Sequence, residues 1–199
     1  MTKTVPVEAI REAFELGCRD FGENRVQELL QKKPGLPAEI RWHFQGRLQT
    51  NKVKALVGET ALLHSLDRME LAEEIQKQAE KRNITVETLL QVNASGEATK
   101  AGFAPEAAEQ AVAELEKYPR IRLRGLMTIG PLTEDEARVR KSFERLRRLR
   151  EELSGKFSVE GLQELSMGMS SDYEWAIEEG ATILRIGTAV FGEREYAST

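Results

Sequence analysis

Cysteine is almost absent from this 199-residue chain: Cys18 stands alone, so no internal disulfide can form and the fold must be held by its core. Apolar runs of membrane-spanning length are missing, as is an apolar leading segment at the N-terminus, which makes the cytosol the expected compartment and leaves no role for a membrane. No charge of one sign dominates. The net charge of −4 argues against a nucleic-acid partner, which would need a basic surface. Internal repeats, low-complexity stretches and linker-like composition are also lacking. With 40% hydrophobic and 31% charged residues, residues 1–199 read as one domain with a sizeable core.

What the sequence does contain is alternation. Short β-branched apolar runs are separated by longer stretches of helical period, the pattern of β/α units around a parallel sheet. The strand candidates are Met1 to Thr4, Arg19 to Gly22, Ile40 to Phe44, Ala61 to His64, Glu87 to Val92, Ile121 to Met127, Leu162 to Leu165 and Ile183 to Ile186, eight in all. Ala108, Ala111, Val112 and Leu115 share one helical face, as do Val139, Phe143, Leu146, Leu149 and Leu153. A first helix is expected from near Pro6, and helix starts are marked where Asp67 with Glu70, Thr133 with Glu136 and Ser171 with Glu174 fit the capping-box spacing. Eight β/α units predict an α/β fold, a (β/α)8 TIM-type barrel with a shortened first strand; an open doubly wound sheet is the alternative.

In such a barrel the ligand site lies at the carboxyl ends of the strands, and those positions are polar or glycine-rich here. Lys3 ends the first strand, "FGEN" (21–24) the second, "WHFQG" (42–46) the third and Ser65 the fourth. Asn93, "GLMTIG" (125–130), "LSMGMSSD" (165–172) and "RIGTAVFGE" (185–193) follow the rest. The last two loops are where this fold commonly holds a phosphate. Ser166, Gly168, Ser170, Ser171, Gly187 and Thr188 supply hydroxyls and closely approachable backbone, and the helix opening near Asp172 offers free N–H groups. Taken singly, these are ordinary turn and capping residues. A lysine near an N-terminus is ordinarily surface decoration, but burial in a barrel mouth beside a cation such as Arg185 is the condition that keeps an amine free to form a Schiff base with a carbonyl ligand.

At these residues the sequence resembles the pyridoxal phosphate homeostasis protein family, whose fold is shared with the N-terminal domain of alanine racemase. "TKT", "FGEN", "WHFQG", "LQTNK", "KAGF", "RGLM", "LSMGMSSD" and "RIGTAVFGER" stand in the family's order and spacing along nearly the whole chain. The resemblance implies a barrel that binds pyridoxal 5'-phosphate as a Schiff base on Lys3, with Asn24, His43, Ser65, Met127 and Met167 around the cofactor. Ser166, Ser170, Gly187 and Thr188 would hold its phosphate, and Arg185 would face the pyridine nitrogen. A permanent cation there opposes ring protonation and weakens the ring as an electron sink, which suits a protein of cofactor homeostasis with no established turnover. Apoenzymes receiving the cofactor would be its partners, and the protein itself is expected to be a monomer. Family members carry a helix and the first half of strand one before the lysine, about thirty residues that would tie down this terminus; their absence is read as a truncation or late start. Val5 stands where many members have a second lysine.

Other readings of single residues are plainer. His43 and His64 could serve as acid/base groups or metal ligands, but neither has a second ligand at useful spacing. A packed or hydrogen-bonded structural role suits His64. Cys18 is expected to be a small buried hydrophobe. Arg145, Arg147, Arg148 and Arg150 lie among acidic residues on a helix with an apolar opposite face, and so read as a solvated surface. Two enzyme readings compete with the cofactor carrier: a pyridoxal-phosphate-dependent amino-acid racemase and a sugar-phosphate barrel enzyme. A racemase needs a second acid/base on the other face of the substrate, and Tyr118, Tyr173 and Tyr196 lack any motif for it.

Overall fold

The computed structural model describes residues 1–97, 99–157 and 162–192. Seven parallel strands, arranged in chain order, form one curved sheet: β1 (Asp20–Glu23), β2 (Arg41–Phe44), β3 (Leu62–Leu66), β4 (Val86–Gln91), β5 (Ile121–Met127), β6 (Glu164–Met169) and β7 (Ile183–Arg185). Helices α1 (Val7–Glu15), α2 (Val26–Lys32), α3 (Thr50–Leu56), α4 (Met69–Arg82), α5 (Ala108–Leu115), α6 (Glu136–Lys156), α7 (Tyr173–Glu178) and α8 (Thr188–Phe191) alternate with them. The barrel is nearly closed, and the expected (β/α)8 architecture is recovered rather than an open doubly wound sheet.

The expected first strand, Met1 to Thr4, does not form a strand. Among the described residues, only Met1 and Thr2 run between β1 and β7. The Met1 ammonium donates to the Ile186 carbonyl at 2.5 Å, and the Thr2 amide donates to Gly22 O at 2.9 Å. Lys3 and Thr4 then form a turn in which Thr4 has φ +60°. Two residues bridge the seam but cannot make the ladder that defines a strand. The other strand expectations hold, from Ile121–Met127 with no change to Leu162 to Leu165 against Glu164–Met169, whose end moves by four residues.

Helices and sheet share one apolar layer. Ala111, Val112, Leu115, Val139, Phe143, Leu146 and Leu153 are buried there, with Leu149 packed at the edge. The three capping boxes do not form as expected. Asp135, not Thr133, caps α6 by accepting the Arg138 amide at 3.2 Å. Asp67 pairs with Arg68 and Arg47 instead of capping α4, and at α7 the N-cap position falls on Asp172, not the expected Ser171, with the Asp172 carboxylate accepting the Met169 amide at 2.6 Å. In each case a neighbouring charge or loop amide is the better partner for the short side chain. Cys18 is exposed, not buried, in the turn after α1 that Gly17 makes at φ +104°. The α6 arginines form a solvated face: Arg147 pairs with Glu151 at 3.2 Å and Arg148 with Glu144 at 2.6 Å.

Candidate functional site

Strand alternation decides which side chains enter the barrel. The Thr2 hydroxyl points outward and donates to Glu23 Oε1 at 2.6 Å. There the ammonium of Lys32, from α2, reaches Thr2 O at 2.6 Å, Glu23 Oε1 at 2.8 Å and Glu28 Oε1 at 2.7 Å. The Thr4 amide also donates to Glu28, at 2.6 Å. This knot clamps the residues on either side of Lys3, and Met1 lines the cavity at the seam. A Cβ at Gly22 would lie 2.8 Å from the Met1 sulfur. Burial pushes the Glu23 carboxyl up in spite of its bonds to Lys32 and Thr2. For Glu28, burial acts upward but the Lys32 and Thr4 bonds prevail and hold it down.

The loops after β1 and β2 carry side chains with unmet hydrogen-bonding capacity. Asn24 Oδ1 and Gln45 Oε1 are buried and have no hydrogen-bond partner. The loop after β2 passes so close to β1 that a Cβ on Gly46 would lie 2.0 Å from Asn24 O, and only glycine fits there. Ser65 fixes this approach by donating to Gly46 O at 2.6 Å, so it builds the wall of the mouth. Next to it a cavity of about 490 Å³ opens at the seam between β1 and β7, lined by Met1, Gly22, His43, Gln45 and Arg185 among others.

Across the mouth, the loops after β6 and β7 meet. Ser170 Oγ accepts the amides of Gly187 at 3.1 Å and Ala189 at 3.3 Å, with Thr188 exposed between them. Gly168, at φ +88°, lets the first of these loops turn tightly against α7; a Cβ there would lie 2.5 Å from that of Ala176. The structure therefore brings together Ser170, Gly187 and Thr188.

Four expected residues are placed otherwise. Ser166 is buried inside the barrel, where its hydroxyl contacts Arg185 Nη1 at 2.9 Å and His64 Nδ1 at 2.9 Å, so it serves the arginine and not the phosphate loops. Met167 points the opposite way, into the layer under the helices; one residue along a strand reverses the face. Met127 joins Leu62 and Leu89 in a small apolar cluster that fills part of the barrel interior. His43 is below the mouth, with Nδ1 at 2.8 Å from His64 Nε2 and Nε2 at 3.2 Å from Oδ1 of Asp20, the first residue of β1.

Arg185 is 6% exposed. Its Nη2 donates to Thr128 O at 2.8 Å, and burial lowers its pKa to about 10, against the opposing field of Asp172. Burial holds His64 well below the ordinary histidine value, with His43 and Arg185 adding to it. It also lowers His43, which Asp20 pulls the other way. Among the described residues, no group of three His, Cys, Asp or Glu could hold a metal ion, and no helix is long and apolar enough to cross a membrane. Sequence reasoning missed the Glu23–Glu28–Lys32 clamp and the Asp20–His43–His64 run. For the clamp, the i,i+4 spacing of Glu28 and Lys32 was the available signal.

A family model described as alanine racemase, N-terminal domain, matches residues 4–195, and the nearly closed parallel barrel is of that class. The pyridoxal phosphate homeostasis protein of Aquifex aeolicus is 53% identical over 196 residues, spanning 98% of this chain and 86% of its own. That of Pseudomonas aeruginosa is 43% identical over 199 residues, spanning 100% and 84%. PipY of Synechococcus elongatus PCC7942, solved with PLP bound, superposes with a TM-score of 0.88 at 37% identity, covering 96% of this chain and 90% of that one. An alanine racemase of Clostridium difficile 630, 17% identical with a TM-score of 0.78, covers 96% of this chain and 48% of its own and shares the fold alone. The chain belongs to the pyridoxal phosphate homeostasis protein family.

Proposed function

We propose that this protein binds pyridoxal 5'-phosphate and maintains its supply, with no substrate turnover of its own. The observation that carries the reading is the pair of orphaned buried atoms, Asn24 Oδ1 and Gln45 Oε1, which follow β1 and β2 at their carboxyl ends. Burying polar atoms without partners costs about 1–3 kcal/mol each, and a polar ligand entering the mouth would satisfy them. When bound, pyridoxal 5'-phosphate supplies an aldehyde that an amine can attack and a ring that withdraws electrons.

Lys3 is the amine for that attachment, and the clamp on Thr2 and Thr4 fixes where its backbone stands. Ser170, Gly187 and Thr188 receive the phosphate, because the Gly187 and Ala189 amides already converge on the Ser170 hydroxyl. Arg185 faces the pyridine nitrogen. Held on Ser166 and Thr128 O, it carries only donors, so it opposes protonation of that nitrogen. Racemase chemistry would need a second acid/base at the mouth. Tyr173 bonds Glu174 on an exposed helix, Tyr118 packs against the outer core, and Tyr196 lies outside the described residues. The same reading makes the protein a cytosolic monomer that passes cofactor to apoenzymes.

Adding pyridoxal 5'-phosphate should produce a new absorption band that borohydride fixes, with the label mapping to Lys3. No band, or a label on Lys52 or Lys100 with Lys3 bare, overturns the assignment.

A further inference from the structure

Between the seam and Arg185 runs an unbroken series of polar contacts: Asp20 Oδ1 to His43 Nε2 at 3.2 Å, His43 Nδ1 to His64 Nε2 at 2.8 Å, His64 Nδ1 to Ser166 Oγ at 2.9 Å, and Ser166 Oγ to Arg185 Nη1 at 2.9 Å. Its two ends have fixed roles. A carboxylate only accepts and a guanidinium only donates, and Asp20 is held as a carboxylate by its pairing with Arg41.

These ends dictate every hydrogen between them. His43 must donate from Nε2 to Asp20, so a neutral His43 presents a bare Nδ1 to His64. His64 must then donate from Nε2, and its own bare Nδ1 receives the Ser166 hydroxyl, whose oxygen accepts from Arg185. With both imidazoles neutral each bond is satisfied, and no other arrangement of hydrogens achieves this. One extra proton on His43 breaks the order. His43 would donate to His64, His64 would donate from Nδ1 to Ser166, and the Ser166 hydrogen would lose its only acceptor beside Arg185.

We propose that His43, His64 and Ser166 are positioning residues for Arg185, forming a one-way hydrogen-bond relay through which protonation at the open seam loosens Arg185 and weakens cofactor binding. The proposal rests on the reading above only for its effect on the cofactor; the relay stands on geometry alone. The charged groups that face His43 are Asp20 on β1, Arg41 on its own strand and Glu164 on β6, with His64 on β3 and, through it, Arg185 on β7. Asp172 acts on Arg185 from the loop after β6. Because Asp20 favours the charged form of His43, removing its charge moves the protonation to lower pH.

The chain holds only two histidines, both in the relay, so the imidazole nitrogen NMR spectrum of the cofactor-free protein reports it without overlap. At pH 8 both rings should be neutral and protonated at Nε2. On acidification the Arg185 side-chain resonance should move with the midpoint of His43. Asp20→Asn should shift that midpoint to lower pH, and Asp20→Glu should restore it. In a titration with pyridoxal 5'-phosphate, affinity should fall about tenfold across the same midpoint, the equivalent of one lost buried hydrogen bond, and the fall should move with Asp20→Asn while affinity at pH 8 is kept. An Nδ1-protonated ring at pH 8, or an Arg185 resonance indifferent to His43, overturns the relay. A working relay with an acid loss of affinity that Asp20→Asn leaves in place overturns its link to the cofactor. A protein that binds no pyridoxal 5'-phosphate at any pH removes the functional reading and leaves the relay to stand or fall on the resonances.

Discussion

The two faces of this sheet solve different problems. Outside, under the helices, Phe143, Leu126, Leu165 and Ile75 are fully buried in a continuous apolar layer, where burial is worth about 25 cal/mol per Å² and direction hardly matters. Inside, Leu62, Leu89 and Met127 form a small apolar cluster with Ile183 packed against it, and His43, His64, Ser166 and Arg185 occupy the space beside them. Directional bonds of fixed polarity replace area there. The outer face therefore sets how stable the barrel is, and the inner face sets which atoms stand at its mouth. The Lys32 clamp is the exception, a polar knot on the outer side.

Phe143→Ala tests the outer face most severely. Truncating a fully buried phenylalanine should cost about 3–5 kcal/mol, read as a fall in the denaturant midpoint, while the folded fraction keeps its cofactor affinity. A matching loss of affinity would mean that the two faces are not separate.

Lys32→Met should cost about 3 kcal/mol, because it leaves the buried Glu23 carboxylate uncompensated. It should also slow attachment at Lys3, since Thr2 loses its anchor. Adding Glu23→Gln should recover much of the stability but little of the attachment rate. Recovery of both together would show that the clamp acts only through stability.

The smallest effect is on pH dependence. Histidines whose folded values are depressed leave the unfolded chain binding more protons below its own value of 6.5. Stability conferred by the neutral rings is thus complete above pH 6.5 and drains away as the pH falls, by at most about 1.4 kcal/mol per pH unit for each ring. Glu23, raised by burial, works in the opposite sense at lower pH. Replacing His64 by Gln should flatten the slope; an unchanged slope would mean that the rings are not the source.

Much of the outer face was legible in advance because it depends on periodicity. The spacing of Val139, Phe143 and Leu146 identifies the buried face of α6 with no knowledge of its neighbours. The meeting of the loops after β6 and β7 was legible too, since Ser170 and Gly187 come together through backbone and a short side chain. The inner face was not. His43 and His64 stand 21 residues apart, and Ser166 and His64 stand 102 apart, so their contacts exist only once the strands are in register. Ser166 was assigned by its motif, yet its position in the strand turns it toward Arg185, and the same alternation sends Met167 outward. Capping signals misled for another reason: Asp67 has capping spacing but pairs with arginines, and Thr133 yields the α6 cap to Asp135.

The strand order has a kinetic consequence. Each pairing in the sheet joins consecutive strands, so the barrel can grow by short-range steps, whereas the bond from Met1 to Ile186 spans 185 positions. Loop-closure entropy delays such a contact until the rest of the sheet is in place. Closing the ring should therefore be the final folding event, and the same seam is where thermal opening should start, ahead of any loss of the outer layer.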